Sequence, residues 1–510
     1  MKKLFITFAF LLSIFTVRSQ NIYWKFLNGT SLSRCISVVS EPDSGFTFFI
    51  SRPYSMNRAT IVRTDKYGTV LSSNNYAAGI QIMDNMIKTM DDGYVISARS
   101  FPISNDYTQQ LIKLDNSYNP LWSKSYSYGS FNQGNVIETS DSGLAIYGKS
   151  DSTIYLVKTD PSGNIIWSKR YSNSINNIIT SASECPDHGF IITGAYSTGI
   201  HYQSFLIKTD ASGNILWQKI YDSVDPLYIE KTIPTPNGGY LTSGKIWDQT
   251  YRTILMKVDS LGGHSWSKIF SNAQAGKMKS DNDGNYFLYG ITNLRDTSDI
   301  VLIKINPAGD ILWNREYGLE SFAGEYPADV IQTSDNGYMI AGYIYYYSFN
   351  GPIMLKTDST GILPCNMHPI SIADSQPAVT VSAATFTSIV GFNSISNADT
   401  MTTEQITDSL ECDGFTGISE PVEYSWLTVY PSPAQNYITV SLQGPYELHN
   451  PKLLVYDGIG KLIKHISNES LTGGREIKID IKDLSKGLYY ILLVNDNRIA
   501  GIERVVKTDE

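Results

Sequence analysis

Apolar residues along this chain form short continuous runs, such as Tyr155-Leu-Val157, Ile254-Leu-Met256 and Tyr338-Met-Ile-Ala341. A sheet with one solvated face would alternate apolar and polar positions, so these runs predict strands covered on both faces. Two short phrases punctuate the runs and recur every 45 to 52 residues. The first is a turn leading into a strand: Asp43-Ser-Gly45, Asp91-Asp-Gly93, Asp141-Ser-Gly143, Asp187-His-Gly189, Asn237-Gly-Gly239, Asp283-Gly-Asn285 and Asp335-Asn-Gly337. The second is a hairpin, fully written in Phe205-Leu-Ile-Lys-Thr-Asp210-Ala-Ser-Gly213-Asn-Ile-Leu-Trp217-Gln-Lys-Ile-Tyr221, whose centre returns at Asp65, Asp115, Asp160, Asp259, Asn306 and Asp358. Asp and Asn side chains bond backbone amides two residues on, and Gly accepts positive φ, so both phrases are turn formers first. Another β-rich run, such as Asn135-Val-Ile-Glu-Thr139, separates each hairpin from the next turn. Four strands in each of seven repeats predict an all-β fold, a seven-bladed β-propeller over residues 20–365.

Trp122, Trp167, Trp217, Trp266 and Trp313 take one equivalent place on the fourth strand, and one large ring per repeat reads as packing between blades. Ser72 stands there in the first repeat, and Pro364-Cys365 interrupts the seventh. Ile22-Tyr-Trp24-Lys-Phe26 fits the fourth-strand phrase with no hairpin before it, so this N-terminal strand is expected to complete the seventh blade, Trp24 answering to the repeated Trp. Closure of that kind removes exposed sheet edges.

Composition narrows the class further. Only 17% of residues are charged and 12% are aromatic, with 34 Tyr and 39 Gly, which argues against disorder and against a charged helical rod. Met1-Lys-Lys3, the apolar run 4–17 and the small residue Ser19 have the three parts of a signal peptide over residues 1–19. The run is too short for a bilayer core of about 30 Å. The formal charge of −9 becomes −12 when Lys2, Lys3 and Arg18 leave with the leader, so neither nucleic acid nor an anionic membrane is expected as a partner, and no transmembrane anchor in the mature chain. Residues 366–421 are rich in Ser, Thr and Ala and carry neither phrase, which predicts a loosely packed extension and a linker. Cys365 and Cys412 bracket it, and in an oxidising compartment their disulfide would stabilise by about 4 kcal/mol in the chain-entropy account. Cys35 and Cys185 are expected as single thiols.

The repeats resemble the quinoprotein-like propeller families, whose hairpins also carry Asp, Gly and a closing Trp; the resemblance covers residues 20–365 and bears on fold alone. The strand pattern of residues 422–510 predicts a small immunoglobulin-like β-sandwich. Its motifs, Val429-Tyr430-Pro431-Ser432-Pro433, Leu454-Val-Tyr-Asp457-Gly458-Ile-Gly460-Lys461, Leu484-Ser-Lys-Gly487-Leu-Tyr489-Tyr490 and Arg504-Val-Val-Lys507, are similar to those of the type A sorting domain of the Bacteroidetes type IX secretion system. Departures are Ser432, where the family usually has Asn, and the extra Thr508-Asp-Glu510. The resemblance implies that Pro431, Pro433, Asp457, Gly458, Gly460, Lys461, Gly487, Tyr489 and Lys507 belong to a sorting signal. It implies as partners the type IX machinery and its sortase-like peptidase, and a product that passes through the periplasm to be secreted or attached at the surface.

Signals of catalysis are thin. The six histidines never fall at metal-ligand spacing, no two cysteines suit a zinc knuckle, and there is neither a phosphate loop nor a serine nucleophile elbow, so no metal and no cofactor is expected. Asp281-Asn-Asp283-Gly284-Asn285 looks like a calcium loop but lacks the downstream bidentate Glu and coincides with a repeat turn. Where the repeats disagree, in the connections opposite the short turns, they are aromatic and basic: Arg52, Tyr54, Tyr107, Tyr202, Trp247, Tyr251, Arg252, Tyr346 and Phe349. Loops on a rigid scaffold are where binding residues concentrate, and flat aromatic faces suit sugar rings. The expected function is non-catalytic binding of a glycan or protein, with a secreted polysaccharide-active hydrolase or lyase and a structural surface adhesin as alternatives.

Overall fold

In the computed structural model all regular structure is β-strand among the described residues. These are residues 22–508 apart from 29–32, 53–57, 77–79, 101–107, 128–130, 151–152, 173–176, 200, 293–297, 319–323, 347–348, 364–366, 369, 376, 384–386, 390–392, 397–400, 404–406, 414–426, 443–451, 458–461, 467–475 and 496–497. The expected signal peptide therefore lies outside them. The chain divides into two units, residues 1–414 and 415–510.

The first unit holds seven antiparallel sheets of five strands each. Four consecutive strands build each of the first six: residues 34–76 make sheet one, 80–127 sheet two, 131–172 sheet three, 177–223 sheet four, 227–270 sheet five and 274–317 sheet six. Sheet seven takes three strands from residues 324–357 and its fourth, Tyr23–Asn28, from the other end of the unit.

Local chemistry explains the turns. In sheet four the Cys185 amide donates to the Gly189 carbonyl at 2.8 Å while Asp187 Oδ1 accepts from the Gly189 amide at 3.1 Å. Lys208 of the Lys-Thr-Asp phrase then reaches back to Asp187 at 2.8 Å. The same cation and turn acid meet as Arg63 and Asp43, Lys113 and Asp91, Lys158 and Asp141, and Lys356 and Asp335, while in sheet six Lys304 lies 3.7 Å from the turn acid Asp283 and 2.8 Å from Asp281, two residues before it. Sheet five has no acid in this turn, and Lys257 donates instead to Thr235 Oγ1 at 2.5 Å. In the second turn Asp210 Oδ1 accepts from the amides of Ser212 and Asn214 at 2.9 and 2.8 Å, and Gly213 adopts a φ of 76° that favours glycine.

Each sheet shares an apolar core with its successor, and sheet seven packs on sheet one through Met339, Met354, Val38, Phe48 and Val62. The first strands of neighbouring sheets are also joined directly: the Val38 amide donates to Asp329 at 3.3 Å, Met86 to Ser37 Oγ at 3.2 Å, Val136 to Asn85 at 3.3 Å and Thr232 to Ser181 Oγ at 3.4 Å. All seven first strands carry an irregular register against the second strand, for example between Ile229 and Lys231, which leaves Glu230 unpaired in the ladder.

The repeated Trp forms a boundary contact. A Cβ on Gly262, in the second turn of sheet five, would meet Trp217 of sheet four at 2.9 Å, so the indole lies against the bare glycine. Trp122 covers Gly163, Trp167 covers Gly213, Trp266 covers Gly309 and Trp313 covers Gly361 in the same way. Four residues after the Trp, a buried Tyr closes the boundary: Tyr126, Tyr171, Tyr221 and Tyr317 donate to the carbonyls of Gly163, Gly213, Gly262 and Gly361 at 2.6 to 2.8 Å.

After Trp266 the tyrosine position holds Phe270, which cannot donate, and two boundaries depart from the indole contact itself. On the N-terminal strand the stripe position is held by Tyr23, not Trp24: Tyr23 pairs opposite Lys356 as Trp217 pairs opposite Lys208, and its ring covers Gly68. A one-residue slip moves a side chain to the other face of a strand, and the buried Tyr23 is the ring that faces sheet one. At the boundary of sheets one and two the sizes are exchanged. Ser72 replaces the Trp, and Tyr118, at a φ of 67°, replaces the turn glycine. Tyr118 fills the space from the opposite side, stacked on Tyr94 at 5.1 Å and bonded to Thr47 at 2.7 Å, while Tyr76 donates to its carbonyl at 2.5 Å.

The segment expected to pack loosely instead supplies the fifth strand of every sheet. Met367–His368 joins sheet six, Asp374–Ser375 sheet five, Val379–Ala383 sheet four, Thr387–Ile389 sheet three, Asn393–Ser396 sheet two, Met401–Thr403 sheet one and Thr407–Asp413 sheet seven. Each runs antiparallel to the fourth strand of its sheet. The backbone groups of those outer strands offer a ladder, and Ser, Thr, Val and Ile occupy it readily without a core of their own.

In the second unit a three-stranded sheet (Leu427–Tyr430, Tyr437–Leu442, Glu476–Asp480) and a four-stranded sheet (Lys452–Asp457, Leu462–Ile466, Gly487–Asn495, Arg498–Lys507) share one core. Ile438, Val440 and Ile479 of the first meet Leu453, Val455, Ile491, Leu493 and Val505 of the second.

Candidate functional site

The connections after the second strands and before the first strands leave the same end of their sheets, opposite the Asp-Gly turns. Among the described residues this end is richest at sheets four and five. The Trp247 amide donates to the Pro226 carbonyl at 3.0 Å, tying the hairpin of sheet five to the entry of its first strand. Trp247 and Tyr251 pack edge to face with centroids 4.6 Å apart and are 43% and 48% exposed. Tyr202 of sheet four, 43% exposed, meets Tyr228 of sheet five at 5.9 Å, also edge to face. Beside them Arg252 pairs with Asp248 at 2.6 Å, and His201 Nε2 lies 3.1 Å from Asp222. Two aromatic pairs, an Arg–Asp ion pair and a His–Asp contact thus lie at this end of sheets four and five.

Tyr202, Trp247, Tyr251 and Arg252 therefore lie at the same end of two neighbouring sheets. Of Arg52, Tyr346 and Phe349 only the backbone is described: Arg52 pairs with Arg58, and Tyr346 with Phe349. Tyr54 and Tyr107 lie outside the described residues. Tyr228 was absent from the sequence expectation because it sits inside a first strand, not in a variable connection. A second aromatic group spans sheets seven and one, where Tyr326 and Tyr343 stack at 5.2 Å and the Arg34 guanidinium lies 4.7 Å over Tyr343.

The turn end has different chemistry. A depression of about 400 Å³ there is lined by Ser140, Glu184, Cys185, Pro186, His188 and Pro234. Burial pushes the Cys185 thiol up to about 11 and raises that of Cys35 further, so neither is a poised nucleophile. Both are free. Cys365 lies outside the described residues, and of Cys412 only the backbone, opposite Trp24, is described. Asp281 spends Oδ1 on the amides of Asp283 and Asn285 and lies 2.8 Å from Lys304, which makes it a turn former held by a cation. No group of three His, Cys, Asp or Glu side chains gathers to hold a metal among the described residues.

In the second unit the Pro431-Ser-Pro433 motif is held against the last strand. Ser432 Oγ accepts from the Val506 amide at 3.2 Å, Ala434 donates to the Val506 carbonyl at 2.8 Å, and Thr508 donates back to Ala434 at 2.9 Å. The buried Lys507 pairs with Gly487 across the strands, and Tyr489 Oη donates to Ser485 at 2.8 Å. Pro431, Pro433, Gly487, Tyr489 and Lys507 thus sit in one fold. Asp457 is described in backbone only, and Gly458, Gly460 and Lys461 lie outside the described residues.

The second unit is thus a compact two-sheet domain in which the Pro431-Ser-Pro433 segment is pinned to the last strand. Residues 428–508 match the secretion system C-terminal sorting domain family. The match implies delivery by the type IX secretion machinery, and so secretion or attachment at the cell surface. No helix among the described residues is long and apolar enough to cross a membrane. No curated protein matches the chain. Among solved structures, the native conformation of E. coli alpha-2-macroglobulin is similar at 9% identity over 95% of this chain and 30% of that chain. This chain spans under a third of its length, and a TM-score of 0.13 supports no inference about fold.

Proposed function

We propose that the first unit is a seven-bladed β-propeller of non-catalytic function that binds a glycan or protein outside the cell through the end bearing Tyr202, Tyr228, Trp247 and Tyr251. Support for the ring comes from the succession of shared cores, which returns from sheet seven to sheet one. The observation that carries the binding role is the aromatic surface itself. Three exposed rings and Arg252 are held by backbone hydrogen bonds and ring contacts, and such anchors are what carbohydrate and protein interfaces use. The second unit, an immunoglobulin-like sandwich in this reading, delivers the first to the exterior.

Arrays of polysaccharides and extracellular proteins, probed with the full chain and with Trp247→Ala and Tyr251→Ala, test the reading. The wild type retains a defined ligand class, and each variant loses about tenfold or more in affinity. Equal retention by both variants overturns the assignment of the surface. Turnover of a retained polysaccharide would transfer the weight to a secreted hydrolase or lyase, and absence of any retained ligand to a structural adhesin.

A further inference from the structure

Sheets five, six and seven bring together six charged side chains, five on their first strands and Lys245 on the second strand of sheet five, that take no part in the aromatic surface. The irregular register at Glu230 allows consecutive residues Glu230 and Lys231 to reach opposite neighbours. Glu230 extends over Gly276 of sheet six, where a Cβ would collide with its carboxylate, and binds Lys245 Nζ at 2.9 Å. Lys231 extends the other way, its one hydrogen bond among the described residues going to Ser183 Oγ of sheet four at 3.3 Å. From sheet six, Lys279 pairs with Asp329 of sheet seven at 2.5 Å. Lys277 donates to the Ala328 carbonyl at 2.9 Å and lies 5.8 Å from the centre of the Tyr289 ring. Among the described residues Glu230 pairs with Lys245 and Asp329 with Lys279, both carboxylates also act on Lys277, and Lys231 faces Lys279.

Lys277 retains solvent access. Burial and mutual repulsion press on these lysines. The Lys231 ammonium is pushed down to about 8 by burial and then by Lys279, and Lys277 is lowered by burial. A cation in such a place without a paired carboxylate is costly unless something supplies the missing negative charge.

We propose that this lysine group is a binding site for an oxyanion, a sulfate or carboxylate that arrives either as a free ion or as a pendant group of an acidic polymer. Two excess positive charges match one dianion or two monoanions. Ser183 Oγ adds a neutral polar group beside Lys231, and Glu230 and Asp329 hold Lys245 and Lys279 in place around the space the anion takes.

Calorimetric titration of the full chain with sodium sulfate, dextran sulfate and uncharged dextran at constant ionic strength tests the site. Saturable binding of sulfate or dextran sulfate, at least about tenfold weaker in Lys231→Met and in Lys277→Gln, is expected. Sulfate binding alone identifies a free ion, and a stronger response to dextran sulfate identifies a pendant group. No saturable binding of either, or equal binding by folded variants with unchanged circular dichroism, overturns the site. Trp247→Ala should leave sulfate binding intact, which separates this site from the aromatic surface: failure of one reading leaves the other standing.

Discussion

Tyr221 donates its phenolic hydrogen to the carbonyl of Gly262 at 2.8 Å, across the boundary between sheets four and five. Both partners are out of water, so removing the donor strands a buried carbonyl. Tyr221→Phe is expected to cost about 1 to 2 kcal/mol in urea unfolding of the first unit, and an unchanged midpoint would refute the role given to this tyrosine.

Ser72 and Tyr118 make a sharper case, because the boundary they share inverts the sizes used elsewhere. Tyr118→Gly alone leaves a cavity and should cost about 3 kcal/mol or more. Adding Ser72→Trp rebuilds the arrangement of the other boundaries and should recover a substantial part of that loss. A double variant no more stable than Tyr118→Gly would show that the two positions do not share one space.

These boundaries also show what is legible in a single sequence. Turns were readable because Asp187 and Asp210 satisfy amides within a few residues of themselves. The indole stripe was readable because it repeats. Tyr23 was misplaced by one residue because two adjacent aromatics fit the phrase equally well, and only pairing with Lys356 decides between them. The fifth strands left no trace, since pieces as short as Met367–His368 have no periodicity and their partner, the strand ending at Tyr317, lies far earlier in the chain. In the binding surface Trp247 and Tyr251 were visible as loop aromatics, while Tyr228 depended on knowing which strand faces Tyr202. The lysine group draws charge from three sheets and is visible only once they are assembled.

The lysines predict a pH dependence. Lys231 titrates at about 8 when folded against 10.5 when free. Between these values the unfolded chain binds the proton and the folded chain does not, so stability rises with pH over that window. Below about 8 both states are charged and the full penalty is present. Lys231→Met removes it. The variant should be more stable than wild type at pH 7 in the absence of multivalent anions, with the advantage shrinking toward pH 10.5. Lys279 and Ser183, the groups that act on Lys231 among the described residues, remain in both proteins, so the difference between their urea midpoints isolates this ammonium. A pH-independent difference would contradict it.

The sorting domain predicts an export phenotype. A chain lacking residues 422–510 should fold its first unit and remain inside the outer membrane, measured by fractionation and immunodetection of the producing cell. Its appearance in the medium or on the surface would contradict type IX delivery.

Repeat proteins ordinarily change size by duplicating or deleting a unit, since each unit touches only its neighbours. Here the run from Met367–His368 to Thr407–Asp413 forbids that economy. It visits the sheets in reverse chain order from six to one and ends on the strand Tyr23–Asn28, one short strand to each. A gained sheet would have no outer partner, and a lost sheet would throw every later strand out of step. The number of repeats is thereby written twice in the same chain, and neither copy can be edited without the other.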